Sequence, residues 1–433
     1  MTRYLFLLSI PLADFLTLES DIFASTSLFS PPSTFFALVF ILALLGASVF
    51  FLKKHPLLRF AILFFFINHL VESSFIGLEL YFEHRNYLPS IFFYLAVAYY
   101  FCRLLSWYRG QRRRFMPGLL TVFMTFVLVS EGNATYLRNE VWETEISLLG
   151  DSLKKAPENI RVYISLASAL ADRGELPRAI TLIEEAENKY NKQPERYQKY
   201  WSQVLFYNHG IYLMRQARLA EAVAKFDRSI ELGSRDWQCY ANKAFVLFQL
   251  HEEEKAEMAI AVAAELAGDD ADPDLYNLYG RILYQVGKTD EALQAFQKGI
   301  TLGETRELML NVVASHIQMG NIKVARKVLD KIPHDERDLA YLLYRASLLS
   351  GSERQESLSN IVAYLLSNGE PFCSWLQEIR ENHLPGIIYP DISRLEGELV
   401  GEYSLQLEKS AQEIRKRLKR VRICVTGKRS VIE

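Results

Sequence analysis

Five alanines recur along the later two-thirds of this 433-residue chain at a nearly fixed distance, and that recurrence limits the fold more than any other feature. Ala179, Ala222, Ala256, Ala292 and Ala325 are separated by 43, 34, 36 and 33 residues. The surrounding pattern is clearest from Pro273 to Arg306, where Tyr276, Tyr279, Gly280, Leu283, Gly287, Ala292, Phe296 and Gly299 alternate large with small. Small residues suit the place where two helices of one unit cross closely; large ones fill the space between successive units. A unit of this length is a helical hairpin that cannot bury its apolar face alone, so its neighbours must stack on it. Five units beginning near Ile160, Gln203, Trp237, Pro273 and Arg306 follow, with a degenerate sixth from Asp338 that uses Tyr341, Leu348 and Leu358. The 43-residue gap reads as a lengthened helix around 194–202.

The first 137 residues obey another rule. A helix needs about 20 apolar residues to cross the hydrocarbon core. Residues 34–52 are uncharged, and 89–107 carry only Arg103. Residues 60–82 are long enough but contain Glu72 and Glu79; 115–130 are short but uncharged. These four stretches are expected to span. The opening 4–18 fits either a signal peptide, because Arg3 precedes an apolar run, or a half-buried or spanning anchor, since Pro11 and Asp14 suit a broken or interfacial segment. Lys53, Lys54 and Arg59 fall in one short loop, and Arg109 with Arg112, Arg113 and Arg114 in another two spans later. Both loops are expected on the cytoplasmic side. The repeats then lie outside the cytoplasm, which in a Gram-negative cell is the periplasm.

Charge divides the chain at the same point. Residues 1–137 hold 10 basic and 7 acidic side chains, the rest 39 and 44. A net charge of −2 gives no broad basic field, so nucleic acid is not an expected partner. Cys102, Cys239, Cys373 and Cys424 show no C-x-x-C spacing, which argues against a zinc site or a disulfide framework. No phosphate-binding glycine loop, HExxH or G-x-S-x-G motif occurs, and neither a cofactor nor a catalytic residue is assigned.

The repeat pattern resembles the tetratricopeptide repeat (TPR). Two further stretches carry a second resemblance: VESSFIGLELYFEHRNYLPS from Val71 with SLFSPPSTFFALVF from Ser27, and the junction RNEVWETEISLLGDSLKKAPENIRVYISLA from Arg138. Together they are similar to the C-terminal portion of the transmembrane-and-TPR protein O-mannosyltransferases and their bacterial relatives. Those are type C glycosyltransferases that use polyprenyl-phosphate sugars. The long N-terminal membrane half that holds the family's catalytic acid has no counterpart here. A short relative, or the product of a split or truncated gene, is therefore expected, and the chain alone is not expected to transfer sugar.

The resemblance makes Arg85, with Glu83 and Glu79, a candidate contact for a lipid phosphate, because a guanidinium fork suits bidentate phosphate binding. The competing reading is a structural Glu–Arg clasp at the outer ends of two spans, and His69 is read as a packing residue. In the repeats, position 6 of each first helix should face the concave groove; Asn208, Asn242 and Asn311 occupy it, while the fourth unit has Asn277 at position 5 and Leu278 at position 6. Side-chain amides can hold the backbone of an extended peptide without reading its sequence, and related TPR glycosyltransferases use such a ladder; ordinary consensus usage explains the same residues. Asp270, Asp272 and Asp274 imitate a calcium loop, but Leu275 and Arg281 stand where Gly and Glu are required. The basic run 415–422 reads as a solvated helix end, and the Asn133 sequon as chance.

The expected protein is all-α: a membrane helix bundle (1–137), a TPR α-solenoid (138–368), and a helical cap with a basic tail (369–433). Its expected role is an interaction scaffold in the inner (plasma) membrane, taking a polypeptide in the groove. The alternative is a split glycosyltransferase subunit that contacts a polyprenyl-phosphate sugar or another transferase subunit.

Overall fold

The computed structural model describes residues 2–9, 27–72 (Ser30 and Phe51 apart), 86–111, 115–192, 201–368, 386–390, 395, 397–410 and 412. The fold is all-α, and its residues group into two compact units, 1–212 and 213–433.

The first unit opens with α1 (Thr2–Ser9), α2 (Ser33–Phe50), α3 (Pro56–Glu72), α4 (Tyr87–Gly110) and α5 (Phe115–Val141). Helices α2, α4 and α5 are long and apolar enough to cross a membrane, with mean hydropathies of 2.3, 1.5 and 1.6. Their apolar residues point outward: Phe36, Phe50 and Phe126 are about 70% exposed, a cost in water but not in lipid. The expected span at 60–82 begins earlier, at Pro56, whose missing N–H costs nothing in a first turn. Helix α3 has 17 residues, about 25 Å at 1.5 Å each, and residues 73–82 lie outside the described residues. Helix α5 runs eleven residues beyond Ser130 and includes Asn133.

Helices α3 and α4 are antiparallel. His55 Nδ1 lies 3.0 Å from the Tyr100 hydroxyl, whereas further along α3 the Phe64 ring meets Phe92, 4.5 Å between centroids. Tyr4, Leu7 and Leu8 of α1 pack on Phe65 and Phe66 of α3. The Asn86 amide and the Tyr94 hydroxyl donate to the Tyr4 and Leu8 carbonyls at 3.1 and 2.9 Å, the second of them an acceptor that the end of α1 leaves open. His69 is buried between the Tyr4 and Phe65 rings, its Nδ1 2.9 Å from the Phe65 carbonyl, a packing role.

After α5, Thr144 and Ser147 build a capping box that starts α6 (Glu145–Lys155). Asp151 of α6 accepts from Arg138 at 2.8 Å and from Lys155 at 2.9 Å. The first hairpin, α7 (Ile160–Asp172) with α8 (Leu176–Lys192), follows, and then α9 (Ser202–Arg215). Most of the expected lengthened stretch, 193–200, is outside the described residues.

The second unit continues the repeat: α10 (Leu219–Glu231), α11 (Trp237–Gln249), α12 (Glu253–Ala267), α13 (Pro273–Gln285), α14 (Thr289–Leu302), α15 (Arg306–Gln318), α16 (Ile322–Leu329), α17 (Leu339–Leu348) and α18 (Ser352–Asn368). Helix starts at Ile160, Ser202, Trp237, Pro273 and Arg306 match the expected unit starts to within one residue. The degenerate sixth unit is a real hairpin, α17 with α18. Asn159, Asp236, Asp272, Thr305 and Asp338 each precede a first helix and accept from its early N–H groups, each such cap contributing about 1 kcal/mol. Asp272 is thereby a cap, accepting from Leu275 N at 2.7 Å.

The small positions are explained by contact. Ala179, Ala222, Ala256, Ala292 and Ala325 are all fully buried. A Cβ on Gly280 would overlap the Phe296 ring, and one on Gly299 would come within 2.9 Å of Leu308. Beyond α18, the helix at 397–410 covers the last hairpin by packing Leu399, with Leu395, on Leu358, Ile361 and Leu365. The expected cap near 405–421 is described only in its first part.

Candidate functional site

Two side chains on successive first helices build the site. Asn277 lies on α13 and Asn311 on α15, and the stacking of those hairpins brings Asn311 Nδ2 within 2.7 Å of Asn277 Oδ1. Asn277 is therefore the repeat equivalent of Asn311. The two lie 34 residues apart, one repeat length, although Asn277 is the fifth residue of α13 and Asn311 the sixth of α15.

Both amides grip a piece of backbone. Asn277 Nδ2 donates to the Gly386 carbonyl at 3.0 Å and Asn311 Nδ2 to the same oxygen at 2.9 Å. Asn311 Oδ1 accepts from the Ile388 N–H at 2.7 Å. The Tyr344 hydroxyl on α17 donates to the Ile388 carbonyl. Segment 386–390 thus runs from α13 towards α17, and every hydrogen bond named here ends on its main chain. Asn311 is fully buried, and its two N–H groups and its oxygen are all engaged, which is the condition for burying an amide cheaply. Ile387 and Ile388 join the apolar cluster that includes Leu308, Val312 and Tyr344.

Electrostatics around the grip are mild. Burial pushes the Tyr344 phenol well above its ordinary value of 10, so it stays a donor throughout the physiological range. One turn beyond Asn277, the buried Arg281 guanidinium lies 5.6 Å from the Phe248 ring centre, and burial lowers its pKa. Among the described residues no cluster of three or more metal-ligating side chains occurs.

The other sequence candidates are placed differently. Asn242 is half-buried on α11 of the same unit; Asn208 is half-buried on α9 in the first unit. Glu79, Glu83 and Arg85 lie outside the described residues. Tyr344 and the 386–390 segment escaped sequence reasoning. Their one signal was the apolar Ile387–Ile388–Tyr389 run in an otherwise polar stretch.

No protein-family model matches the chain. It is 30% identical over 108 residues to a protein O-mannosyl-transferase of Caenorhabditis elegans, covering 25% of this chain and 13% of that protein. It is 21% identical over 324 residues to the human protein O-mannosyl-transferase TMTC3, covering 64% and 34%. The chain is an α-solenoid of TPR-like helical hairpins, and its sequence is similar to protein O-mannosyl-transferases. Its matches span about a third of those relatives' length or less. Among solved structures, YrrB, described as a TPR protein with an unusual peptide-binding site, aligns at TM-score 0.37 and 21% identity over 42% of this chain and 89% of YrrB. The pilF protein of Pseudomonas aeruginosa aligns at TM-score 0.41 and 16% identity, over 52% and 97%.

Proposed function

We propose that the chain is a scaffold anchored in the plasma (inner) membrane by residues 1–137, whose TPR region, 138–368, holds an extended polypeptide on the external face. The 369–433 region caps the repeats. The observation that carries this reading is the Asn277–Asn311 pair, whose amides take hold of main-chain atoms and leave side-chain identity largely unread. Lipid is the second partner, through the outward apolar faces of α2, α4 and α5. The test uses the full chain in lipid nanodiscs with a fluorescent, permanently unfolded polypeptide, reduced and carboxymethylated lactalbumin. Binding is expected, and Asn208→Ala with Asn242→Ala should weaken it about thirtyfold, since each lost hydrogen bond is worth about 1 kcal/mol. Unchanged binding in a double variant that still melts normally would reduce those two asparagines to packing residues.

The second reading is a glycosyltransferase subunit, favoured by the relatives' being protein O-mannosyl-transferases. Arg85, Glu83 and Glu79 would then hold the phosphate of a polyprenyl-phosphate sugar. The chain alone is expected to give no turnover of polyprenyl-phosphate hexose with any acceptor. Transfer by the lone chain that disappears in Arg85→Ala would establish the enzyme in place of the scaffold.

A further inference from the structure

We infer that segment 386–390 is an internal ligand of the TPR groove, a self-supplied peptide that an extended polypeptide bearing two adjacent aliphatic residues displaces. The inference rests on the peptide-holding role proposed for the asparagines and names the occupant and partner class of that site.

Three observations carry it. First, the atoms bound are the Gly386 carbonyl and the N–H and carbonyl of Ile388, which any polypeptide can present. Second, the segment belongs to neither a helix nor a sheet; this grip holds it together with the burial of Ile387 and Ile388, 4% and 5% exposed, and the packing of Tyr389 on the same core. A competitor must fill those two apolar sites, and aliphatic side chains in consecutive positions do so. Third, the docking of the internal occupant depends on one residue. Gly386 sits at φ +91°, a conformation that glycine adopts without strain and a residue with a Cβ does not, so a substitution there loosens the segment without replacing either asparagine. Without an occupant, Asn311 would keep only its bond to Asn277 and would rely on water. The grip therefore favours some occupant without dictating which.

Two measurements on the full chain in detergent micelles or nanodiscs test this. In the unmodified protein, hydrogen exchange at the Ile388 amide should proceed by local opening, at least a hundredfold faster than the core amides of α15. Exchange of both at one common rate would make the segment permanent core and overturn the inference. In the second, a labelled peptide copying residues 384–391 is titrated against the unmodified chain and against Gly386→Val, where a β-branched residue at positive φ weakens the internal docking. The variant should bind the peptide at least about tenfold more tightly, a difference of about 1.4 kcal/mol, and adding Asn311→Ala should remove that gain. If Gly386→Val binds no peptide although exchange shows its segment released, the groove is not a peptide site, and the underlying reading fails with it. If it binds the peptide no better than the unmodified chain, the segment is no competitor and only the internal-ligand inference fails.

Discussion

The Cys239 thiol shows how far a side chain's behaviour departs from its type once the repeats close around it. It stands at position 3 of the α11 unit, fully buried, with Sγ 3.8 Å from the Phe226 carbonyl. Burial pushes its pKa up to about 11. At pH 8 an ordinary cysteine, with pKa near 8.5, is roughly a quarter thiolate, whereas this one is almost wholly protonated. Iodoacetamide at pH 8 should therefore label Cys239 at least about a hundredfold more slowly in the folded chain than in urea. Equal rates would mean that α11 does not pack as described. The asparagines teach a related lesson about what a sequence displays. Their recurrence is visible because they return at about the repeat length, at 208, 242, 277 and 311. That Asn277, not Leu278, is the partner of Asn311 follows from the 34 residues between the two asparagines, one repeat length, which counting from the first residue of each helix obscures.

Helical hairpins expose their design at the turn. Between the two helices of successive units the chain passes through positive φ at Gly174, Ala217, His251, Gly287 and Gly320. These positions recur with the repeat itself, so the turn is a property of the unit, and glycine is its natural residue. Ala217 at φ 59° and His251 at φ 58° pay for a left-handed conformation that costs a residue with a Cβ about 1 kcal/mol. Ala217→Gly and His251→Gly should each raise stability, by up to about 1 kcal/mol after the added unfolded-state entropy of glycine is subtracted. Urea titration followed by circular dichroism measures this; a loss of stability in either variant would mean that its Cβ makes contacts worth more than the strain. Elements tied to the period, helix starts and caps alike, could be located from sequence. Those outside it could not. Segment 386–390 does not recur with the period, and its docking depends on three helices far away in sequence. Helix α3 was legible as apolar, but its start at Pro56 followed from a first-turn proline that the search for uncharged runs passed over.

At the scale of the whole chain the open question is which face of the membrane receives each loop. Positive charge clusters at Lys53, Lys54 and Arg59 and again at Arg109 and residues 112–114, and parity decides whether one face can hold both. The described part of helix α3, Pro56–Glu72, measures about 25 Å against a hydrocarbon core of roughly 30 Å. Its pairing with α4 supplies the stronger argument. Because His55 meets Tyr100 while Phe64 meets Phe92, the start of α3 lies level with the later part of α4, which brings Lys53, Lys54 and Arg59 to the same end of this helix pair as Arg109. Anionic lipid and the insertion machinery both favour retaining such clusters in the cytoplasm. With that orientation helix α5 is expected to run away from the cytoplasmic face, and the region after Val141 to begin on the other. In a background with the other cysteines replaced by serine, Lys54→Cys and Gly110→Cys should both resist a membrane-impermeant maleimide in intact cells and label after permeabilisation. A cysteine at exposed Glu304 of the repeats should label without permeabilisation wherever the reagent reaches that compartment. Native Cys239 cannot serve as this reporter, since its thiol is buried. Labelling of position 110 but not position 54 in intact cells would mean that α3 fails to cross, and labelling of both would reverse the orientation and put the repeats in the cytoplasm.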